Sequence, residues 1–133
     1  MTQEEVVAAT EKYDAIQKKV MLDAGTERSF TGKTVNGYSH DNKAKGVWVS
    51  AASGVPLFSS EAKYDSGTGW PSFFAPVDPD HIIERRDPRD PAFLARTEVL
   101  DAKSGTHLGH VFSDGPAPTG KRYCMNAASL RFI

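Results

Sequence analysis

From Gly25 onward the chain is cut into short apolar runs by turn-forming residues, and this segmentation limits the fold more than any other feature. The runs are Val47-Trp48-Val49, Pro56-Leu57-Phe58, Ile82-Ile83, Phe93 to Leu100, His107 to Phe112, Arg122 to Met125 and Leu130 to Ile133. Short runs of this composition read as strands. The breaks between them are Ser53-Gly54, Ser66-Gly67, the pairs Asp78-Pro79, Asp87-Pro88 and Asp90-Pro91, and Gly115-Pro116 through Gly120. Such residues reverse the chain, so the pattern predicts a mainly β protein built from antiparallel sheets. Asp87-Pro88-Arg89-Asp90-Pro91 is expected to be an exposed loop rather than a linker.

Ahead of the strands the period is helical. Thr2 and Glu5 form a capping-box pattern, and Val6, Ala9, Tyr13, Ile16 and Val20 recur at steps of three and four. This predicts one amphipathic helix over about residues 2–24, with Lys18 and Lys19 near its negative end and Gly25 as its stop. Its apolar face is expected to lid the core.

At 133 residues the chain has the length of one domain, 1–133. A chain of this length removes roughly two-thirds of its unfolded surface from water, enough for a core without staples. The 16 Lys+Arg against 17 Asp+Glu leave a net charge of −1 and no basic footprint, so neither nucleic acid nor a membrane surface is an expected partner. The single cysteine, Cys124, excludes an intrachain disulfide and a cysteine-based zinc site. The acidic start Met1-Thr-Gln-Glu-Glu5 shows neither a secretory nor a transit pattern, and no apolar run is long enough to span a bilayer. A reducing, cytoplasmic setting is therefore expected.

A lone cysteine is either a small buried hydrophobe or a reactive thiol. In Arg122-Tyr123-Cys124-Met125-Asn126, strand period places Tyr123 and Met125 on one face, with Arg122, Cys124 and Asn126 on the other. The apolar pair should face the core and leave the thiol among polar groups, where the Arg122 guanidinium favours the thiolate. Just upstream, His107-Leu108-Gly109-His110-Val111-Phe112 carries two histidines, followed by Asp114. Three residues apart, they share a pocket only if the strand bulges or bends, for which Gly109 is the natural place. Structural histidines or a His-x-x-His metal pair are the competing readings, although a hydrolytic zinc site needs three convergent ligands and only His40 and His81 remain. Gly67-Thr68-Gly69-Trp70-Pro71-Ser72-Phe73-Phe74 reads either as a packed corner or as an aromatic binding wall.

Taken together, Gly69-Trp70-Pro71-Ser72-Phe73, His107 to Phe112, Asp114-Gly115-Pro116 and Thr119 to Asn126 resemble the methionine sulfoxide reductase B family. The resemblance starts near Gly25-Thr26-Glu27-Arg28 with Phe30-Thr31-Gly32, passes Pro56-Leu57-Phe58 and Lys63-Tyr64-Asp65-Ser66-Gly67, and ends at Ser129-Leu130-Arg131-Phe132. It implies antiparallel sheets of the tent-like, Mss4-like kind and reduction of the R epimer of protein-bound methionine sulfoxide. By the same resemblance Cys124 is the nucleophile, with His107, His110 and Asn126 around it. Trp70 and Phe112 form the methyl pocket, and Arg122 with Asp114 orders the site. The implied product on the enzyme is a Cys124 sulfenic acid.

Two departures from the family pattern shape the remaining expectations. Many relatives hold a zinc in two Cys-x-x-Cys pairs, but Ser50, Ser53, Asp101 and Ser104 stand at those positions. No metal and no cofactor are expected. Thr68 stands where many relatives carry a resolving cysteine, so regeneration falls to an external thiol, either thioredoxin or glutathione with glutaredoxin. Oxidised proteins or peptides are the expected partners and a monomer the expected state. A non-catalytic ligand-binding module on the same fold and a metal hydrolase built on His107, His110 and Asp114 are the alternatives.

Overall fold

The computed structural model describes all residues from Met1 to Ile133. The amino-terminal segment holds two helices where one was expected, α1 (Gln3–Thr10) and α2 (Ala15–Asp23). Local chemistry divides them. Thr10 turns its hydroxyl back onto the carbonyls of Val6 and Val7, and Asp14 starts a second capping box by accepting from Gln17 N while Gln17 accepts from Asp14 N. The divided segment buries Val6, Tyr13, Val20 and Met21 but leaves Ile16 in solvent. Ala24, in the left-handed region at φ 54°, makes the stop one residue before Gly25.

Nine strands follow: β1 (Val47–Ser50), β2 (Pro56–Ser59), β3 (Lys63–Tyr64), β4 (Ser72–Phe73), β5 (Ile82–Arg86), β6 (Thr97–Asp101), β7 (His107–Phe112), β8 (Arg122–Met125) and β9 (Leu130–Phe132). They form one sheet of three strands, β2-β1-β9, and one of six, β3-β4-β8-β7-β6-β5, and every pairing is antiparallel. The expected strand from Phe93 begins only at Thr97. Phe93 and Leu94 instead lie exposed in a one-turn 3-10 segment after Pro91, whose ring cannot donate to a ladder. Strands β3 and β4, two residues each, are too short to show a period in sequence.

Aromatic packing joins the sheets. Trp48 of β1 meets Phe73 of β4 edge-on at 5.7 Å, and Phe58 of β2 stacks on the same Phe73 at 4.5 Å. All three rings are fully buried, each worth roughly 1.5–3 kcal/mol of burial. Phe73 thereby fixes the edge of the larger sheet on which β8 and β7 lie.

At one end of that arrangement Ser50, Ser53 and Ser104 converge on Asp101. Their hydroxyls lie 2.6, 2.6 and 2.5 Å from one carboxylate oxygen, Oδ2, while Oδ1 accepts from Lys103 N. The four positions that the resemblance pairs with zinc ligands thus meet in space. Three neutral hydroxyls already donating into a carboxylate are no substitute for thiolates, so this donor set does not fit zinc. The cluster closes by hydrogen bonds alone.

Candidate active site

Cross-strand register builds the site. Cys124 on β8 pairs with Ser72 on β4 to one side and His110 on β7 to the other, and the row continues through Glu98 on β6 to Arg85 on β5. Tyr123 and Met125 point to the core as expected, leaving Cys124 part-exposed on the opposite face. Close approach makes this row possible. A Cβ at Gly109 would overlap the carbonyl oxygen of Cys124, so a larger residue would push β7 from β8.

The bulge expected near Gly109 is present. Val99 pairs with Gly109, but the next residue of β6, Leu100, pairs with His107, so β7 carries one extra residue. That shift turns His107 and His110 to a common side, their ring centroids 5.4 Å apart. Their depths differ. His110 lines a cleft of about 300 Å³ together with Cys124, Trp70, Phe112, Arg122 and Asn126, whereas His107 lies behind it and is not part of the cleft wall. A larger cavity of about 370 Å³ shares only Trp70 with this cleft and does not include the thiol.

Each histidine is held by a buried carboxylate that sequence reading did not single out. His110 Nε2 is 2.8 Å from Asp87 Oδ2, and His107 Nδ1 is 2.6 Å from Glu98 Oε2. Asp87 lies in the stretch expected to be exposed, yet it is wholly buried, because its carboxylate accepts from Arg89 as well as from His110. Burial alone would raise its pKa. The hydrogen bonds from Arg89 and His110 outweigh burial and hold the carboxyl well below the usual range. For His107 burial wins and its pKa falls, against the opposing pull of Glu98, so the ring is neutral and its Nε2 is buried without a partner.

Around the thiol the expected residues are present with defined partners. Arg122 pairs with Asp114 through Nε to Oδ1 at 2.9 Å and Nη2 to Oδ2 at 3.1 Å, and its guanidinium stacks 4.3 Å from the centre of Phe112. Asp114 therefore orients Arg122 from outside the cleft. Asn126 accepts from Glu27 N at 2.9 Å and donates to Leu108 O at 3.0 Å, which leaves one amide hydrogen uncommitted. Trp70 is pinned by Nε1 donating to Glu27 O at 3.0 Å. Arg96, in the cleft wall, and Glu27, which anchors both Trp70 and Asn126, had no local signature.

The thiol is not activated in the resting site. Burial pushes the Cys124 pKa up, and the opposing influence of the Arg122 charge, with hydrogen bonds from Thr68 and Arg122, does not cancel it. The guanidinium acts in the expected direction, but desolvation is the larger effect. A thiol beside two carboxylate-held histidines, an aromatic wall and a guanidinium suits two-electron chemistry on a polar group bearing a small apolar substituent.

The SelR domain family matches residues 13–133, a span that includes every residue of this cleft. A protein of Hahella chejuensis named peptide methionine sulfoxide reductase MsrB is 53% identical over 116 residues, covering 87% of this chain and 78% of that protein. The namesake from Methanosarcina barkeri is 45% identical over 136 residues, covering 99% of this chain and 91% of its own length. A Vibrio cholerae protein named peptide methionine sulfoxide reductase MsrA/MsrB is 52% identical over 122 residues, which is 92% of this chain but 30% of that longer protein. Fold and site thus define a SelR domain. The chain belongs to the methionine sulfoxide reductase B family of enzymes.

Proposed function

We propose that this enzyme reduces protein-bound methionine R-sulfoxide to methionine, with Cys124 as nucleophile and an external thiol restoring it. The observation that carries this reading is the placement of Cys124 in register with His110, whose ring is tied to buried Asp87. With Asp87 accepting the Nε2 proton, Nδ1 is the ring nitrogen left to donate to the substrate. The substrate methyl lies against Trp70 and Phe112, and the sulfoxide oxygen is directed to His110 Nδ1 and the free amide hydrogen of Asn126.

Cys124 Sγ attacks the sulfoxide sulfur as His110 protonates the departing oxygen, which removes the cost of expelling an oxide. Net, the methionine sulfur gains two electrons, the cysteine sulfur loses two, and the oxygen passes to Sγ as a sulfenic hydroxyl. One external thiol then displaces water to give a mixed disulfide, and a second releases Cys124 as the thiol. Because the resting thiol is held protonated, substrate binding and His110 act together in its ionisation. His107, neutral and bonded to Glu98, supports the His110 ring rather than delivering the proton.

Both ring nitrogens that face the carboxylates are engaged by Glu98 and Asp87, and no three His, Cys, Asp or Glu side chains converge as a metal site, which disfavours the hydrolase reading. Turnover of separated R and S peptidyl sulfoxide with a chemical thiol tests the proposal. The R epimer should react and the S epimer should not, because only one face of the sulfur meets Cys124 while the methyl contacts Trp70. Equal rates, or full activity in Cys124→Ser, contradict it.

A further inference from the structure

We propose that Arg89, which stands outside the cleft, is a positioning residue for the reduction, its one guanidinium holding both carboxylates that orient the paired histidines. The inference rests on the reading of the site given above. Nη2 of Arg89 lies 2.6 Å from Asp87 Oδ2 and 3.2 Å from Glu98 Oε2. These are the two oxygens that accept from His110 Nε2 and His107 Nδ1. A single nitrogen therefore sits at the fork between the two histidine–carboxylate pairs.

The rest of the side chain is committed to the same task. Nε donates to Asp87 Oδ1 at 2.9 Å, the Arg89 backbone N donates to that oxygen at 3.0 Å, and Nη1 donates to the Ala24 carbonyl at the end of α2. Asp87 and Glu98 are both fully buried, and such carboxylates require compensating cations. Alternatives are few. Arg85 serves the other oxygen of Glu98, and Arg96 reaches only 3.9 Å from Asp87 while its own fork is closed on Asp90. Arg89 lines none of the cleft that contains Cys124, so it acts on His110 through Asp87 and not on the substrate. A lysine keeps the charge but not the fork, and one ammonium cannot reproduce a bidentate hold on Asp87 together with Glu98 and Ala24.

Single-turnover formation of methionine from a peptide R-sulfoxide, without added thiol, isolates the step concerned. Arg89→Ala and Arg89→Lys should each lower the saturating rate by about tenfold or more, in line with the cost of a misplaced catalytic group. The sulfoxide concentration for half-saturation should stay within about twofold of wild type. Millimolar guanidinium chloride, far below denaturing levels, should restore part of the rate to Arg89→Ala, whose vacated position is solvent-accessible, and none to Arg89→Lys. If Arg89→Ala fails to fold, the Lys variant decides. A wild-type saturating rate in a folded variant, or a loss seen only in half-saturation, overturns the assignment. A wild-type enzyme inactive on R-sulfoxide would instead overturn the reading of the site on which it rests.

Discussion

Asp87 Oδ2 and His110 Nε2 are 2.8 Å apart across 23 residues of sequence, and this contact leaves Nδ1 as the histidine's uncommitted ring nitrogen. The carboxylate comes from a proline-flanked loop and the imidazole from a bulged strand, so neither element alone makes the pair. Its consequence is directional: a histidine held by Nε2 has Nδ1 left to exchange a proton.

Asp87→Asn should leave the protein folded and cut the saturating rate of sulfoxide reduction by about 10²-fold to 10⁴-fold, the range for a general acid left without the carboxylate that orients it. Iodoacetamide should still alkylate Cys124. The same substitution has a pH signature in stability. Because the folded carboxyl titrates below its ordinary value, its stabilisation is complete above about pH 4 and declines as pH falls from there toward the folded-state value. The urea midpoint difference between wild type and Asp87→Asn should therefore shrink on acidification below about pH 4. A difference that widens there contradicts the assignment.

The raised thiol pKa makes a separate prediction. Alkylation of substrate-free Cys124 should accelerate with a midpoint above about pH 8.5, the value for a free cysteine. Arg122→Gln should move the midpoint higher still, since the opposing positive charge is lost. A midpoint below that of a free thiol means that the resting site already holds a thiolate.

Most of the strand runs and the face that carries Cys124 were legible because they depend on local period. Tyr123 and Met125 alternate with Arg122 and Cys124, and Gly109 marked the bulge that brings His107 to His110. The carboxylates were not legible. Asp87 reads as loop by its Asp-Pro context, and Glu98 reads as the polar residue of an alternating strand, so only the folded register shows them buried against histidines. The helix break was written in Asp14 and Gln17, but the apolar spacing carried through it. Net thiol ionisation was missed because a neighbouring charge is visible in sequence and desolvation is not.

Asp101→Ala should lower stability by roughly 3 kcal/mol or more, since three buried or part-buried hydroxyls lose a charged acceptor at once. Wild-type protein should hold no stoichiometric zinc and should keep its unfolding midpoint in a strong chelator. Elemental analysis and denaturant titration check both statements. About one zinc per chain, or unfolding on chelation, contradicts them.

Thr68 lines the cleft with Cys124 and bonds to Ser66, whose hydroxyl also meets Ser72 beside the thiol. Thr68→Cys should therefore form an intramolecular disulfide with Cys124 after one turnover, the sulfenic oxygen leaving as water, seen as loss of two free thiols in a monomer whose chain is lighter by two hydrogens and carries no added oxygen. Persistence of both thiols, or a sulfenic acid as long-lived as in wild type, places the two sulfurs out of reach.

The most direct test of the account is mass spectrometry of wild-type protein after one turnover with limiting peptide R-sulfoxide and no added thiol. One equivalent of methionine should form, and Cys124 alone should gain one oxygen, trappable by a reagent selective for sulfenic acids. Methionine formed with no change at Cys124, or a covalent dimer as the sole product with no trappable sulfenic acid, would contradict it.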